Sequence, residues 1–166
     1  MSSGKTKSTE VADHFRALSS VATNLNKSSD ELTKSVGVLD VALKKLNIGI
    51  TVWVKYASWA MEPPEYGSDQ IGYAKISGKW GIALRSVFGD ESRDEESENG
   101  PWLFGEAPRE MRLRAVDHLP ELIENLGKVA FNTAKKLNEK AQQVSELAAV
   151  VEQIAKEEDE ESRGDQ

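Results

Sequence analysis

Cysteine is absent from the 166 residues, which excludes disulfides, thiolate zinc sites and cysteine nucleophiles together. Histidine is scarce. His14 and His118 are the only two, each follows an Asp, and neither brings the companions that a metal site or acid–base catalysis needs. Basic excess is also missing: 21 Lys and Arg stand against 28 Asp and Glu, for a formal net charge of -7. That balance argues against nucleic acid or an anionic membrane as a general partner. No apolar run is long enough to cross a bilayer, and the chain opens Met-Ser-Ser-Gly-Lys-Thr-Lys-Ser without an apolar leader core. A soluble cytoplasmic protein is therefore the expectation. G-x-S-x-G, Walker A, G-x-G-x-x-G and H-E-x-x-H patterns do not occur, so a non-enzyme with no cofactor, no metal and no catalytic residue is expected.

What the chain has instead is periodicity. Val11, Phe15, Leu18, Ala22, Leu25, Ser29, Leu32, Val36, Leu39, Leu43 and Leu46 recur at alternating steps of three and four, which keeps one seam of a helix facing a partner. A second seam runs Ile123, Gly127, Ala130, Ala134, Leu137, Ala141, Val144, Ala148, Val151 and Ala155, where small residues alternate with larger ones and permit close approach. The spacing predicts a long helix over 9–47 and another over 120–157, paired antiparallel as a helical hairpin or coiled coil. Pro120 belongs in the first turn of the second helix, with Leu119 pushed out of helical geometry. A short helix over 106–118 precedes it. Residues 1–8 and the acidic 158–166 read as disordered tails.

The middle alternates with period two, the strand signature. Ile48 to Ala57, Ile71 to Ile76 and Trp80 to Phe88 read as strands of an antiparallel meander within a head over 48–104, with Pro101 to Phe104 as a fourth, edge-like strand. Ile50, Val52, Val54, Tyr73, Trp80, Ile82, Leu84 and Phe88 fall on one face, assigned to the core. Gly72, Ala74, Gly81 and Ala83 fall on the other with Trp53 across them, leaving either a groove or a seat for the short helix. The fold class is thus α+β, two long helices flanking a three- to four-stranded head in one domain.

Three surfaces invite binding. The loop over 58–70 combines Trp59, Met61 and Tyr66 with a proline pair, a composition suited to a protein partner or to folding back on the head. The loop over 89–100 is acidic and lacks the ligand spacing of a calcium loop. Arg109 and Arg112 share a helix face and suit a small anion, or else an intramolecular tie to Glu106, Glu110 or the acidic loop. A further stripe of Leu119, Leu122, Leu126, Val129, Leu147 and Ile154 is more than one facing helix can cover, and it predicts self-association as a dimer. The order helix, β hairpins, helix is similar to prefoldin subunits, a likeness of topology that carries over no site residue and implies a holdase chaperone. Acidic type III secretion chaperones are comparable in size and charge. An adaptor that self-associates and recruits a protein partner is the leading expectation; a small-anion sensor or enzyme using Arg109 and Arg112 is the third.

Overall fold

The computed structural model describes residues 3–60 and 62–164. In order they form α1 (Ser3–Lys45), β1 (Val52–Ala60), β2 (Glu65–Ile76), β3 (Lys79–Asp90), β4 (Glu95–Leu103), α2 (Arg109–Ala115) and α3 (Leu119–Gly164), with single 3-10 turns at Phe104–Glu106 and Val116–His118. The class is α+β. The chain divides into two compact units, Met1–Leu122 and Ile123–Gln166, so the boundary falls just inside α3.

The first unit is built on an antiparallel sheet in the order β1-β2-β3-β4, every strand pairing with its neighbours in sequence. Ser77 and Gly78 turn β2 into β3 with φ of 48° and 83°. Two positive φ values in a two-residue turn match the right-handed twist of the flanking strands. Val52, Tyr73 and Ile82 stand in one cross-strand row, Val54, Ile71 and Leu84 in the next. Alternation puts all six on one face, and each is 8% exposed or less. α2 lies against β2 and β3, burying Met111 and Ala115, while the Tyr56 hydroxyl donates to the Met111 carbonyl at 3.5 Å.

α1 joins this unit through its second half. Val36 and Leu43, seven residues apart and on one stripe, are buried. Between them Asp40 accepts a hydrogen bond from the Ile82 N–H at 2.8 Å and pairs with Lys44 at 2.5 Å. The β3–β4 pairing ends at Ala83 and Leu103. Ile82 therefore lies just past the partner strand, and the carboxylate supplies the acceptor that a sheet edge otherwise lacks.

Several boundaries differ from the sequence expectation. α1 begins at Ser3 and α3 continues to Gly164, so the tails over 1–8 and 158–166 are helical where described. Hydrogen bonds one turn apart, from Gln153 to Glu157 and from the Ser162 hydroxyl to the Glu158 carbonyl, carry α3 through its acidic end. Ile48 and Ile50 precede the first strand, because Asn47 and Gly49 take φ of 48° and 63° and turn the chain there. The expected loops over 58–70 and 89–100 are largely strand: β1 pairs with β2 out to Ala60 and Tyr66, and β3 with β4 out to Asp90 and Glu95. Leu119 is helical, at φ -58° and ψ -42°. A 3-10 turn leads directly into α3, and Pro120 falls in the first turn of α3, where proline is tolerated.

On the opposite sheet face, Trp53 stands directly across from Gly72 and Tyr66 from Gly89, while on the aliphatic face, in step with Ile71 and Tyr73, Trp59 stands across from Gly67. Each ring occupies the space that a Cβ on its glycine would need. The Arg85 guanidinium lies 4.2 Å over the Trp53 ring, donates twice to Gln70 at 3.0 and 2.9 Å and pairs with Glu98 at 3.0 Å. The short helix is thus not seated on the Gly/Ala face; α2 covers the aliphatic face, and Gly72 is roofed by an indole. Gly72→Ala brings the new methyl against that ring and to 2.6 Å from the Val52 carbonyl oxygen. We expect it to lower unfolding free energy by about 1–3 kcal/mol, read from the urea midpoint. The loss should shrink in a Trp53→Ala background.

Candidate functional site

Arg109 and Arg112 stand one turn apart on α2 and both reach α1. Arg109 Nη2 donates to Asn26 Oδ1 at 2.8 Å, and Arg112 Nη1 to Thr33 Oγ1 at 2.6 Å. The Thr33 hydroxyl in turn donates to the Ser29 carbonyl at 3.0 Å. The tie is intramolecular, but its partners are neutral residues of α1 and not Glu106, Glu110 or the acidic residues beyond β3. Among the described residues no carboxylate pairs with either guanidinium. A cavity of about 130 Å³ opens between the two helices, lined by Leu25, Ser28, Ser29, Leu32, Leu113 and the two arginines. Arg112 Nε is buried without a hydrogen-bond partner.

A second polar cluster lies under α2. Asp69 is 3% exposed; it accepts from the Ser86 hydroxyl at 2.5 Å and from Arg114 Nη2 at 3.3 Å. The Tyr56 ring lies 5.6 Å from the His118 ring, and His118 Nδ1 is 3.4 Å from Glu121 Oε2. Burial, then the Asp69 carboxylate, push the Tyr56 phenol up to about 12, with Arg114 working in the other direction. Hydroxyl and guanidinium together satisfy the buried carboxylate, so the cluster pins α2 to β2 and β3. Sequence reasoning missed Asp69. Its signal was a charge in step with Ile71 and Tyr73 on the core face, hidden because those positions read as loop.

At the far end of the sheet the β1–β2 and β3–β4 turns lie side by side. Glu65 pairs with Asp90, and the Glu91 N–H donates to the Pro64 carbonyl at 3.2 Å. Trp59 is 36% exposed and meets Phe88 edge-on at 6.0 Å. Tyr66 is half-buried, with its hydroxyl 3.4 Å from Glu96. Both rings fold onto the sheet while leaving part of their surface open. Met61 lies outside the described residues. A shallow depression of about 570 Å³ runs past Lys55, Trp59, Tyr66, Ser68, Gln70 and Glu96.

The largest bare apolar surfaces are helical. On α1, Val11, Phe15, Leu18 and Leu25 are exposed, Phe15 at 70%. On α3, Leu137, Val144, Leu147, Val150, Val151 and Ile154 are exposed, Leu137 at 62%. The extra stripe on α3 divides: Val129, Leu147 and Ile154 are exposed and Leu119 is half-buried, but Leu122 and Leu126 are 0% and 2% exposed. Those two leucines belong to the interior, so they do not face outward as the periodicity implied.

No known protein family, curated protein or solved structure matches the chain. Among the described residues no group of His, Asp and Glu is placed to hold a metal ion, and no helix is long and apolar enough to cross a membrane.

All three tyrosines are held neutral beyond their ordinary range: Tyr56 by burial, Tyr66 by desolvation and Glu96, Tyr73 by burial and Asp40. The unfolded chain releases these protons first. Their contribution to stability is therefore full below about pH 10, the free tyrosine value, and is lost as pH rises through about 12 for Tyr56. The tyrosinate absorbance of the native chain should appear at higher pH than that of the urea-unfolded chain, and Tyr56→Phe should remove the latest-titrating component.

Proposed function

We propose that the chain is a non-enzymatic interaction module that self-associates through the first half of α1 and the length of α3, and offers the turn end of its sheet to a protein partner. The observation that carries this reading is the bare seam. Large apolar residues at heptad spacing stay exposed in the single chain over Val11 to Leu25 and again over Leu137 to Ile154. Scattered exposed leucines need no explanation, but a continuous seam at coiled-coil spacing is built to be covered.

A second copy of the chain is the occupant that the residues favour. The α1 seam supplies large side chains, Phe15, Leu18 and Leu25, whereas the α3 seam intersperses Ala134, Ala141, Ala148 and Ala155 among its larger residues. Large knobs fit small-residue holes, so α1 of one copy complements α3 of the other as an antiparallel coiled coil. Charge agrees: Lys5 and Lys7 open the first helix, and Glu157 to Glu161 close the last. A two-fold dimer uses this contact twice, because each copy contributes both seams. At the sheet's turn end, Trp59 and Tyr66 supply the partly open aromatic surface for a different protein.

A holdase is the second reading. It is favoured by the exposure of Val11, Phe15, Val151 and Ile154 near the helix ends. Light scattering coupled to size exclusion separates the two. A dimer of the 18.3 kDa chain is expected, falling to a single chain in Leu18→Asp with Val151→Asp while circular dichroism retains the helix signal. A wild-type chain that runs at single-chain mass, and suppresses aggregation of an unrelated unfolding protein, would favour the holdase instead.

A further inference from the structure

The aliphatic face of the sheet runs farther than its cover. Arg114 of α2 reaches the row in which Asp69 stands across from Ser86, and the same face continues for two more rows toward the turn end. The first of these is aromatic: Trp59 pairs with Gly67, Gly67 with Phe88 and Phe88 with Ser97. The second is acidic, for Glu65 pairs with Asp90 and Asp90 with Glu95. Carboxylates set directly across strands have their Cβ atoms about 4.5–5.5 Å apart and repel. Among the described residues their one cation is the exposed Arg93, 3.6 Å from Asp90, and Glu65 and Glu95 form no ion pair. A shallow depression of about 520 Å³ follows the two rows past Glu65, Phe88, Asp90, Glu95 and Ser97. On the other face of the same end, desolvation and then Glu96, Glu91 and Asp94 raise the Tyr66 phenol, so the negative field reaches both sides of the sheet.

We propose that these two rows dock a basic segment of a protein partner, an extended stretch in which Arg or Lys alternates with aliphatic residues. The inference rests on the reading of the turn end as a partner surface and names the chemistry of that partner. Two residues along a strand span about 6.6 Å, close to the length of a Lys or Arg stem. A long cationic side chain therefore lays its methylenes on Phe88 and Trp59 and sets its charge among Glu65, Asp90 and Glu95. A guanidinium gains further from the face of an indole and from a carboxylate held through both oxygens. A wholly apolar partner would cover the aromatic row but strip water from the carboxylates beside it without pairing them, which is unfavourable. A metal ion does not fit the acidic row, because among the described residues no group of three or more His, Asp and Glu is placed to hold one.

The probes are three synthetic peptides, Arg-Leu-Arg-Leu-Arg, Gln-Leu-Gln-Leu-Gln and Glu-Leu-Glu-Leu-Glu, blocked at both ends and titrated into the full-length chain while its amide and indole resonances are followed by NMR. The expected result is a saturable shift with the arginine peptide alone, gathered on Trp59, Glu65 and Phe88 to Glu96 and weakening as salt is raised. Glu65→Gln with Glu95→Gln should weaken binding roughly three- to tenfold, the strength of two exposed ion pairs, while Glu157→Gln with Glu160→Gln on α3 leaves it unchanged. The first pair of substitutions also relieves like charges, so that variant alone should melt no lower than the wild type, which separates weaker binding from unfolding. Equal shifts at the turn end with the glutamine or glutamate peptide overturn the basic partner and leave the turn end standing as a partner surface. Arginine-peptide shifts that gather on the acidic end of α3, or equal affinity in the Glu65 and Glu95 double variant, also overturn the basic partner. If none of the three peptides moves the turn end, the reading of that surface falls with it, whereas self-association is read as mass and stands apart.

Discussion

One apolar sheet face must be kept from water, and the first unit covers it with little. Ile71, Leu84, Ile82, Val54, Val52 and Tyr73 present that face, and burying each aliphatic side chain is worth about 1.5–3 kcal/mol. Beside the second half of α1, which meets β3, the cover is a seven-residue helix, α2, too short to hold its shape alone. It is fixed instead by specific bonds at its ends: Arg109 and Arg112 to α1 at one side, Arg114 to the buried Asp69 at the other. The arginines that looked like binding residues are fasteners of α2 on α1. Arg112 secures the helix through Nη1 on Thr33, while its Nε stays buried without a hydrogen-bond partner.

The same economy shapes α1. A heptad repeat states that one stripe of a helix is covered and does not state by what. In α1 the stripe changes its cover along its length. Val36 and Leu43 are buried within the unit that contains the sheet, Ser29 and Leu32 border the cleft with α2, and from Leu25 back to Val11 the seam is bare. At about 1.5 Å per residue, a 43-residue helix is far longer than the sheet it serves. Helices gain most of their stability from an amphipathic face that is packed. The exposed half of α1 and the exposed length of α3 are thus apolar surface without an evident return inside one chain, which is the imbalance that the proposed second copy answers.

The legible parts of this fold were those with local periodicity. Alternation found the aliphatic face at Val52, Val54, Tyr73, Ile82 and Leu84, and Ser77-Gly78 marked the tight turn, because each depends on neighbours two or three residues away. Strand length was hidden where Gly67, Ser68, Asp69 and Gly89 look like loop. These positions are strand because a tryptophan or tyrosine lies over each glycine and a serine and an arginine meet the aspartate, all from other strands or from α2. The arginine cleft was half legible. The spacing of Arg109 and Arg112 placed them on one helix face, but Asn26 and Thr33 lie 83 and 79 residues away, and only the packing of α2 on α1 brings them together. Leu122 and Leu126 show the converse error, for their spacing matched an outward stripe while the chain itself buries them.

The sheet edges bear on which surface is left for assembly. A four-stranded open sheet offers two edges to a second copy, and edge pairing is the alternative to association through helices. The β4 edge carries Glu95, Glu96 and Glu98, and Pro101, which has no N–H to donate. Two copies meeting there would set like charges across a seam with a missing hydrogen bond. The β1 edge has fewer charges, but its register shifts between Lys55 and Ala57, and a bulge beside an exposed lysine interrupts the straight row of N–H and C=O groups that an added strand needs. Beyond β4, the one gap in the ladder at Ile82 is filled by Asp40. Both edges and that gap are occupied by features that oppose strand addition, whereas the exposed seams of α1 and α3 present apolar side chains at their described positions. The proposed self-association is therefore assigned to the helices, and the sheet organises α2, the arginine cleft and the aromatic turn end.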